Sequence, residues 1–170
     1  EKDENEENRL KNISLKHPIK ISNVDFRYGT RQLVLKDINM HIEPGEKVAL
    51  VGESGSGKTT YAEAALYYSG ATKRFGKVED GNTVSDYEAE EIRRKVSINT
   101  SVIPVEWQDT KINFLDTPGY FDFASEVKLA MNVADTGMIM VSAKSGVEVG
   151  TEKAWEYCEE MHLPRMFFIN

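Results

Sequence analysis

The sequence predicts an α/β fold: a mostly parallel sheet with helices on both faces, preceded by an N-terminal antiparallel hairpin. Three observations carry this reading. Apolar runs alternate with helix-period stretches from residue 47 onward, a glycine-rich turn joins the first run to the first helix, and two alternating segments precede them. Residues 1–18 are charged and poor in aromatics, so a solvated tail or linker is expected there, with one domain over 19–170. Ile19 to Phe26 alternates and reads as a strand, and Leu33 to Ile42 reads as its hairpin partner after the turn at Gly29-Thr30. Pro44-Gly45 then turns the chain into a third strand, Lys47–Val51.

Tyr61 to Leu66 is helix-compatible, whereas Ser69 to Lys95 is polar and glycine-containing, expected to be mobile apart from a short helix around Asp86–Arg94. Val96–Trp107 and Lys111–Asp116 should form a second hairpin around a tight Gln108-Asp109-Thr110 turn. Glu126 to Ala134 has helical spacing, Met138–Ser142 is a buried-type strand, Thr151–Met161 is an amphipathic helix capped by Thr151, and Arg165–Ile169 is the last strand.

Composition narrows the function classes. At 170 residues the chain can bury roughly 70% of its unfolded surface without staples. Cys158 is the only cysteine, so no internal disulfide is possible, a reducing, cytoplasmic setting is expected, and this thiol reads as a helix residue. No apolar run approaches the ~18 residues that span a bilayer, so no membrane partner is expected. The formal charge of −7 argues against broad affinity for nucleic acid.

Chemistry concentrates at Gly52 to Thr59, G-E-S-G-S-G-K-T, a complete phosphate-binding loop between the Lys47–Val51 strand and a helix. Its glycines let successive backbone N–H groups of Glu53, Ser54, Gly55, Ser56 and Gly57 face a polyphosphate. The helix start at Gly57–Thr60 adds free N–H donors and partial positive charge. Lys58 should reach the β- and γ-phosphates, and the Thr59 hydroxyl should ligate magnesium, with Thr60 in the same turn. The fold expected is therefore that of a P-loop NTPase, with Mg2+ and ATP or GTP, or the diphosphate, as ligands.

Two resemblances meet in this loop. From Ile19 to about Thr60 the chain resembles the opening of an ATP-binding-cassette transporter nucleotide-binding domain, through I-S-N-V-D-F-R-Y-G and L-K-D-I-N-M-H-I-E-P-G-E-K-V-A-L-V-G. That resemblance implies that Tyr28 stacks on adenine; a residue that merely covers the hairpin turn is the alternative. From about Thr59 to Asn170 the chain resembles the guanine-nucleotide domain of a translational GTPase of the elongation factor G type. The matching runs are T-T-Y-A-E-A-A-L-Y-Y-S-G, R-K-V-S-I-N-T, I-N-F-L-D-T-P-G-Y-F-D-F and G-V-E-V-G-T-E-K-A-W. This resemblance implies that Asp116 of D-T-P-G holds Mg2+ through water, that the Gly119 N–H faces the γ-phosphate, and that Ser97 stands where the family has a magnesium-binding threonine.

The departures shape the expected activity. Tyr120 replaces the histidine that positions the attacking water, so Lys58 and Tyr120 are the catalytic candidates and hydrolysis is expected to be weak or absent. Asn170 is where the guanine-reading N-K-x-D motif would begin, so little discrimination between ATP and GTP is expected. Ser142-Ala143-Lys144 resembles the last GTPase motif but precedes that position and reads as a chance match. The cassette glutamine loop and signature are missing, and Thr117 stands in place of the cassette catalytic glutamate. The expectation is a chimera, engineered or selected, joined at the shared G-K-T and binding nucleoside triphosphate and magnesium. A slow translational GTPase and a purely structural fold chimera without turnover are the alternatives, with self-association through an exposed sheet edge as a further expectation.

Overall fold

The computed structural model describes residues 18–26 and 35–170, the backbone alone within the two strands of the hairpin. Strands β1 (Ile19–Phe26) and β2 (Leu35–Ile42) pair antiparallel, Ile19 opposite Ile42, as a two-stranded sheet. Tyr28 and the expected Gly29-Thr30 turn lie outside the described residues, as do residues 1–17. No described helix is long and apolar enough to cross a membrane.

The main sheet has five strands in the order β4-β5-β3-β6-β7: β3 (Lys47–Val51), β4 (Ser101–Trp107), β5 (Thr110–Asp116), β6 (Thr136–Val141) and β7 (Arg165–Ile169). Only β4 and β5 run antiparallel; the other pairs are parallel. The phosphate-loop strand β3 lies directly beside β5, the strand bearing Asp116, with Leu50 opposite Asp116. Cassette proteins would put a strand between these two, so the order around β3 is that of the GTPase resemblance.

A central parallel strand is covered on both faces, which is why Val48 to Val51 is apolar throughout and fully buried. Its side chains alternate between two cores. Val48 and Leu50 pack with Ile103, Phe114, Met138 and Met140 under Ala62 and Leu66 of helix α1 (Lys58–Tyr68). Ala49 and Val51 pack with Leu115 and Ile139 under two helices of the other face, α3 (Ala124–Val133) and α4 (Val149–Glu160). Each such Leu, Ile or Val contributes about 1.5–3 kcal/mol by burial, so β3 and the turn it delivers are held from both sides. Cys158 belongs to the second core, fully buried, and burial pushes its thiol up to about 11.

Several boundaries differ from the sequence expectation, each for a hydrogen-bonding reason. β4 begins at Ser101, not Val96, because the N–H groups ahead of it donate to carboxylates: Ile98 and Asn99 to Glu91, Thr100 to Glu126. Helix α2 (Ala89–Arg94) begins after Asp86, with Glu88 as its N-cap and a reciprocal capping box to Glu91. Thr151 does not cap α4. Glu148 does, and Thr151 sits three residues inside, its hydroxyl accepting the Glu148 N–H at 3.2 Å. Thr110 is the first residue of β5 because Gln108 and Asp109, at φ 48° and 62°, close the hairpin in two residues of left-handed backbone. The stretch expected to be mobile is tied to α1 by Glu63, whose buried carboxylate accepts the N–H groups of Gly76 at 3.0 Å and Val84 at 2.5 Å.

Candidate functional site

The turn after β3 is shaped by close approaches that only glycine permits. At Gly52, φ is 134° and a Cβ would lie 2.5 Å from the Met140 carbonyl oxygen of β6. At Gly57, φ is 97° and a Cβ would strike the Asn170 amide. Asn170 follows β7 and donates from its side chain to the Ser56 carbonyl at 3.3 Å, so the loop rests on β6 and on the end of β7. Gly57 precedes α1 and leaves the first N–H groups of that helix facing a polar cleft of about 740 Å3. Glu53, Ser54, Gly55, Lys58, Thr59, Thr60, Ser97, Gly119 and Tyr120 all border that cleft. Ser56 does not: it is buried, and its hydroxyl makes no hydrogen bond.

Lys58 is buried and donates to the Gly52 and Glu53 carbonyls, both at 2.9 Å, so its ammonium sits at the mouth of the turn. Burial lowers its pKa to about 8, against the opposing pull of Asp116 and Glu53. The Glu53 carboxylate accepts the N–H of Ser54 at 3.1 Å and of Gly150 at 2.9 Å, in the first turn of α4. A carboxylate at this helix N-terminus is favoured electrostatically.

The metal candidates converge. Thr59 donates its hydroxyl hydrogen to Asp116 Oδ2 at 2.8 Å, and the Thr59 and Ser97 oxygens are 3.3 Å apart. Asp116 is fully buried, and burial raises its carboxyl to about 6 despite Thr59 and Lys58. Ser85 lies near enough to pull that pKa down, yet neither its hydroxyl nor Asp116 Oδ1 completes a hydrogen bond. Two hydroxyl oxygens, a carboxylate and a buried carboxylate oxygen left unpaired suit a small, hard, oxygen-seeking cation such as Mg2+. The neighbouring Thr117 hydroxyl donates to the Leu50 carbonyl at 2.6 Å, locking the end of β5 to β3 at the point where Asp116 emerges.

Gly119 is pressed onto the phosphate loop: a Cβ there would lie 2.6 Å from Ser54 N and Cα and 2.8 Å from Lys58 Nζ. Tyr120 stands at the cleft rim, 47% exposed, and precedes a single 3-10 turn over Phe121–Phe123. Arg93 and Arg94 both pair with Glu90, whose carboxyl they hold down at about 2, in keeping with solvated helix charges, although Arg94 also borders the cleft. Ser142-Ala143-Lys144 makes a turn: the Ser142 hydroxyl accepts the Lys144 and Ser145 N–H groups, and Ala143 N–H donates to Asn170.

Sequence reasoning missed Asp86, Glu91 and the bracing role of Asn170. Asp86 is buried and accepts the Ser97 hydroxyl hydrogen at 2.7 Å, and burial raises its pKa. Glu91, also buried, accepts the Glu88, Ile98 and Asn99 N–H groups around Ser97. Neither belongs to a spacing motif, and both lie in a polar stretch that reads as solvated.

Asp116 makes the site sensitive to pH. Its folded pKa of about 6 exceeds the ordinary 3.8. The neutral carboxyl is therefore favoured in the fold, and that contribution is complete below pH 3.8 and lost as pH rises through 6. Asp116→Asn is accordingly expected to stabilise the nucleotide-free protein at pH 7 by about 2 kcal/mol, the ~3 kcal/mol of two pKa units less the cost of burying an amide group whose hydrogen bonds are incompletely made. The gain should vanish near pH 4. Urea unfolding of both proteins between pH 4 and 8 checks this, and a gain independent of pH would contradict it.

Comparison with known proteins agrees with this geometry. The chain is 37% identical over 129 residues to "Ribosome-releasing factor 2, mitochondrial" of Scheffersomyces stipitis, covering 76% of this chain and 15% of that protein. It is 35% identical over 123 residues to "Elongation factor G 2" of Borreliella burgdorferi, covering 72% of this chain and 18% of that one. The chain thus spans less than a fifth of the length of these relatives. A solved structure from Thermus thermophilus, "Crystal structure of ttk003000868", superposes with a TM-score of 0.73 at 44% identity, over 74% of this chain and 19% of that one. The profile of the Elongation factor Tu GTP binding domain matches residues 43–170, a span that includes β3, the phosphate loop, Ser97 and the Asp116–Gly119 segment. On that match the chain belongs to the family of the elongation factor Tu GTP-binding domain.

Proposed function

We propose that the chain is the nucleotide-switch domain of a ribosome-acting translational factor, binding GTP with Mg2+ and hydrolysing it slowly. The observation that carries the reading is the convergence of Lys58, Thr59, Ser97 and Asp116 at one end of the sheet, with Gly119 folded onto the phosphate loop. Lys58 and the N–H groups of residues 53–59 bind the phosphates, Thr59 and Ser97 would hold the metal directly, and Asp116 would hold it through water. Mg2+, when bound, neutralises charge shared by the β- and γ-phosphates. Gly119 directs its N–H toward the γ-phosphate, and Asn170 keeps the loop in register with β7. Slow turnover follows from Tyr120, a half-exposed phenol at the water-positioning place, and from the tie of Arg94 to Glu90.

Guanine over adenine, and the ribosome as partner, rest on the likeness to the relatives named above. This replaces the expectation that nucleic acid is no partner and that ATP binds as well as GTP. The chimeric reading gains no support: the family match runs through the expected join near Thr60, and β3 pairs directly with strands of the second half. Equilibrium titration with GTP and ATP, followed by phosphate release, tests the proposal. GTP is expected to bind in a magnesium-dependent way, about tenfold or more tighter than ATP, a difference of at least ~1.4 kcal/mol, with slow phosphate release. No binding overturns the phosphate-site reading, and equal affinity overturns guanine selection.

A further inference from the structure

A hydroxyl carries one hydrogen and two lone pairs, so the direction of the hydrogen decides what else the oxygen can hold. Thr59 spends its hydrogen on Asp116 Oδ2 and Ser97 spends its own on Asp86 Oδ1. The two hydroxyl oxygens therefore face each other at 3.3 Å with no hydrogen left for the space between them. Lone pairs converge there, an arrangement that suits a small, hard cation. Thr59 is fixed in this state by its place in the first turn of α1 and by Asp116. Ser97 has no such constraint of its own: it has no branch at Cβ, and three staggered rotamers are open to it.

We infer that Asp86 is a positioning residue that sets the Ser97 hydroxyl for the metal, by taking its hydrogen and fixing its rotamer. Asp86 itself is anchored. It is buried, its N–H donates to the Thr83 hydroxyl at 3.3 Å, and it accepts the Ser97 hydroxyl hydrogen at 2.7 Å. Glu91 secures the backbone just beyond, through the Ile98 and Asn99 N–H groups at 2.9 and 3.1 Å, so the Ser97 side chain and the main chain that follows it are held by separate carboxylates. Without Asp86 the Ser97 hydrogen would turn toward Thr59 or Asp116 and compete with the cation. Asp86 also repels Asp116, so a merely electrostatic role would have the opposite sign: removing it would leave Asp116 the better anion.

The inference rests on the magnesium-triphosphate reading of the site, and the test keeps the two apart. The affinity of a non-hydrolysable GTP analogue is measured with Mg2+ and with EDTA for the unaltered chain and for Asp86→Ala, Ser97→Ala, the double variant, and Asp86→Ala with Ser97→Thr. In Mg2+ Asp86→Ala is expected to lose about tenfold, the scale of one hydrogen bond to a charged group, and to lose nothing in EDTA. Ser97→Ala should lose about as much, and the double variant no more than Ser97→Ala alone. Ser97→Thr should restore part of the Asp86→Ala loss, because branching at Cβ narrows the rotamer choice. If Asp86→Ala does not fold, Asp86→Leu, with the same branched outline as Asp and at ease when buried, takes its place. Unchanged affinity in Mg2+, a loss that persists in EDTA, or losses that multiply in the double variant each overturn the positioning role. Binding by the unaltered chain that ignores magnesium overturns the metal reading itself, and the inference with it.

Discussion

Replacing Lys58 by Met is expected to cost about a thousandfold in GTP affinity, some 4 kcal/mol, while leaving the nucleotide-free protein more stable at pH 7. The two effects share one cause. The ammonium is buried and bonded only to the Gly52 and Glu53 carbonyls, and burial has drawn its pKa from 10.5 to about 8. A lysine whose folded pKa is depressed is penalised while charged. The cost is present in full below about pH 8 and fades as pH rises toward 10.5, and 2.5 pKa units correspond to about 3 kcal/mol. Met fills the space of the lysine stem without the charge, and the two carbonyls left without a donor return about two-thirds of the gain, so a net stabilisation of about 1 kcal/mol is expected. A polyphosphate reverses the balance, because it supplies the anions that the buried ammonium lacks. Calorimetric titration measures the loss and urea unfolding the gain. Unchanged affinity in the variant would refute the phosphate-loop assignment, and a loss of stability would show that the two carbonyl bonds outweigh the burial cost.

How much of this site could be read in advance depended on whether its chemistry is local in the chain. The phosphate loop, Asp116 and Gly119 sit in short, fixed spacings after apolar strands, because a strand must deliver each of them to the same sheet end, and β3, β7 and their neighbours fell close to where periodicity put them. The order of the strands was another matter. Nothing in the run Lys47–Val51 tells which strand will lie beside it, and only the pairing of Leu50 with Asp116 decides between the two resemblances. Asp86, Glu63 and Glu91 were illegible for a physical reason: composition reports a carboxylate as charge, whereas its role here is that of an acceptor for N–H and O–H groups that come from residues far along the chain. The same donors explain why β4 starts late, since N–H groups given to Glu91 and Glu126 cannot join the ladder. Thr151 shows the limit of cap rules. A threonine before a helix pattern is a good cap in general, but Glu148 could take the position three residues earlier and leave Thr151 to complete the box.

Gly119→Ala is expected to slow phosphate release by a factor of about a hundred to a thousand, the range for loss of one preorganised donor, with little change in diphosphate binding. The added methyl would lie 2.6 Å from Ser54 N and Cα and 2.8 Å from Lys58 Nζ. Ser54 is main chain in a loop braced by Gly52 on Met140 and by Asn170 on Ser56, so it cannot yield, and the incoming residue must. Upstream there is no slack either: Asp116 and Thr117 are fully buried, and Thr117 is bonded to the Leu50 carbonyl at 2.6 Å. The displacement is therefore expected on residues 119 and 120, which would carry the Gly119 N–H away from the proposed γ-phosphate position while Thr59 and Asp116 stay where they are. On the proposed reading the diphosphate would be held by the loop and by Lys58, so its binding should survive. Single-turnover phosphate release from bound GTP, set against the rate of the unaltered chain, gives the first number, and displacement of labelled GDP gives the second. An alanine variant that releases phosphate at the unaltered rate would show that the close approach of Gly119 to the loop plays no part in turnover. One that loses GDP binding as severely as turnover would show instead that the methyl deforms the loop itself.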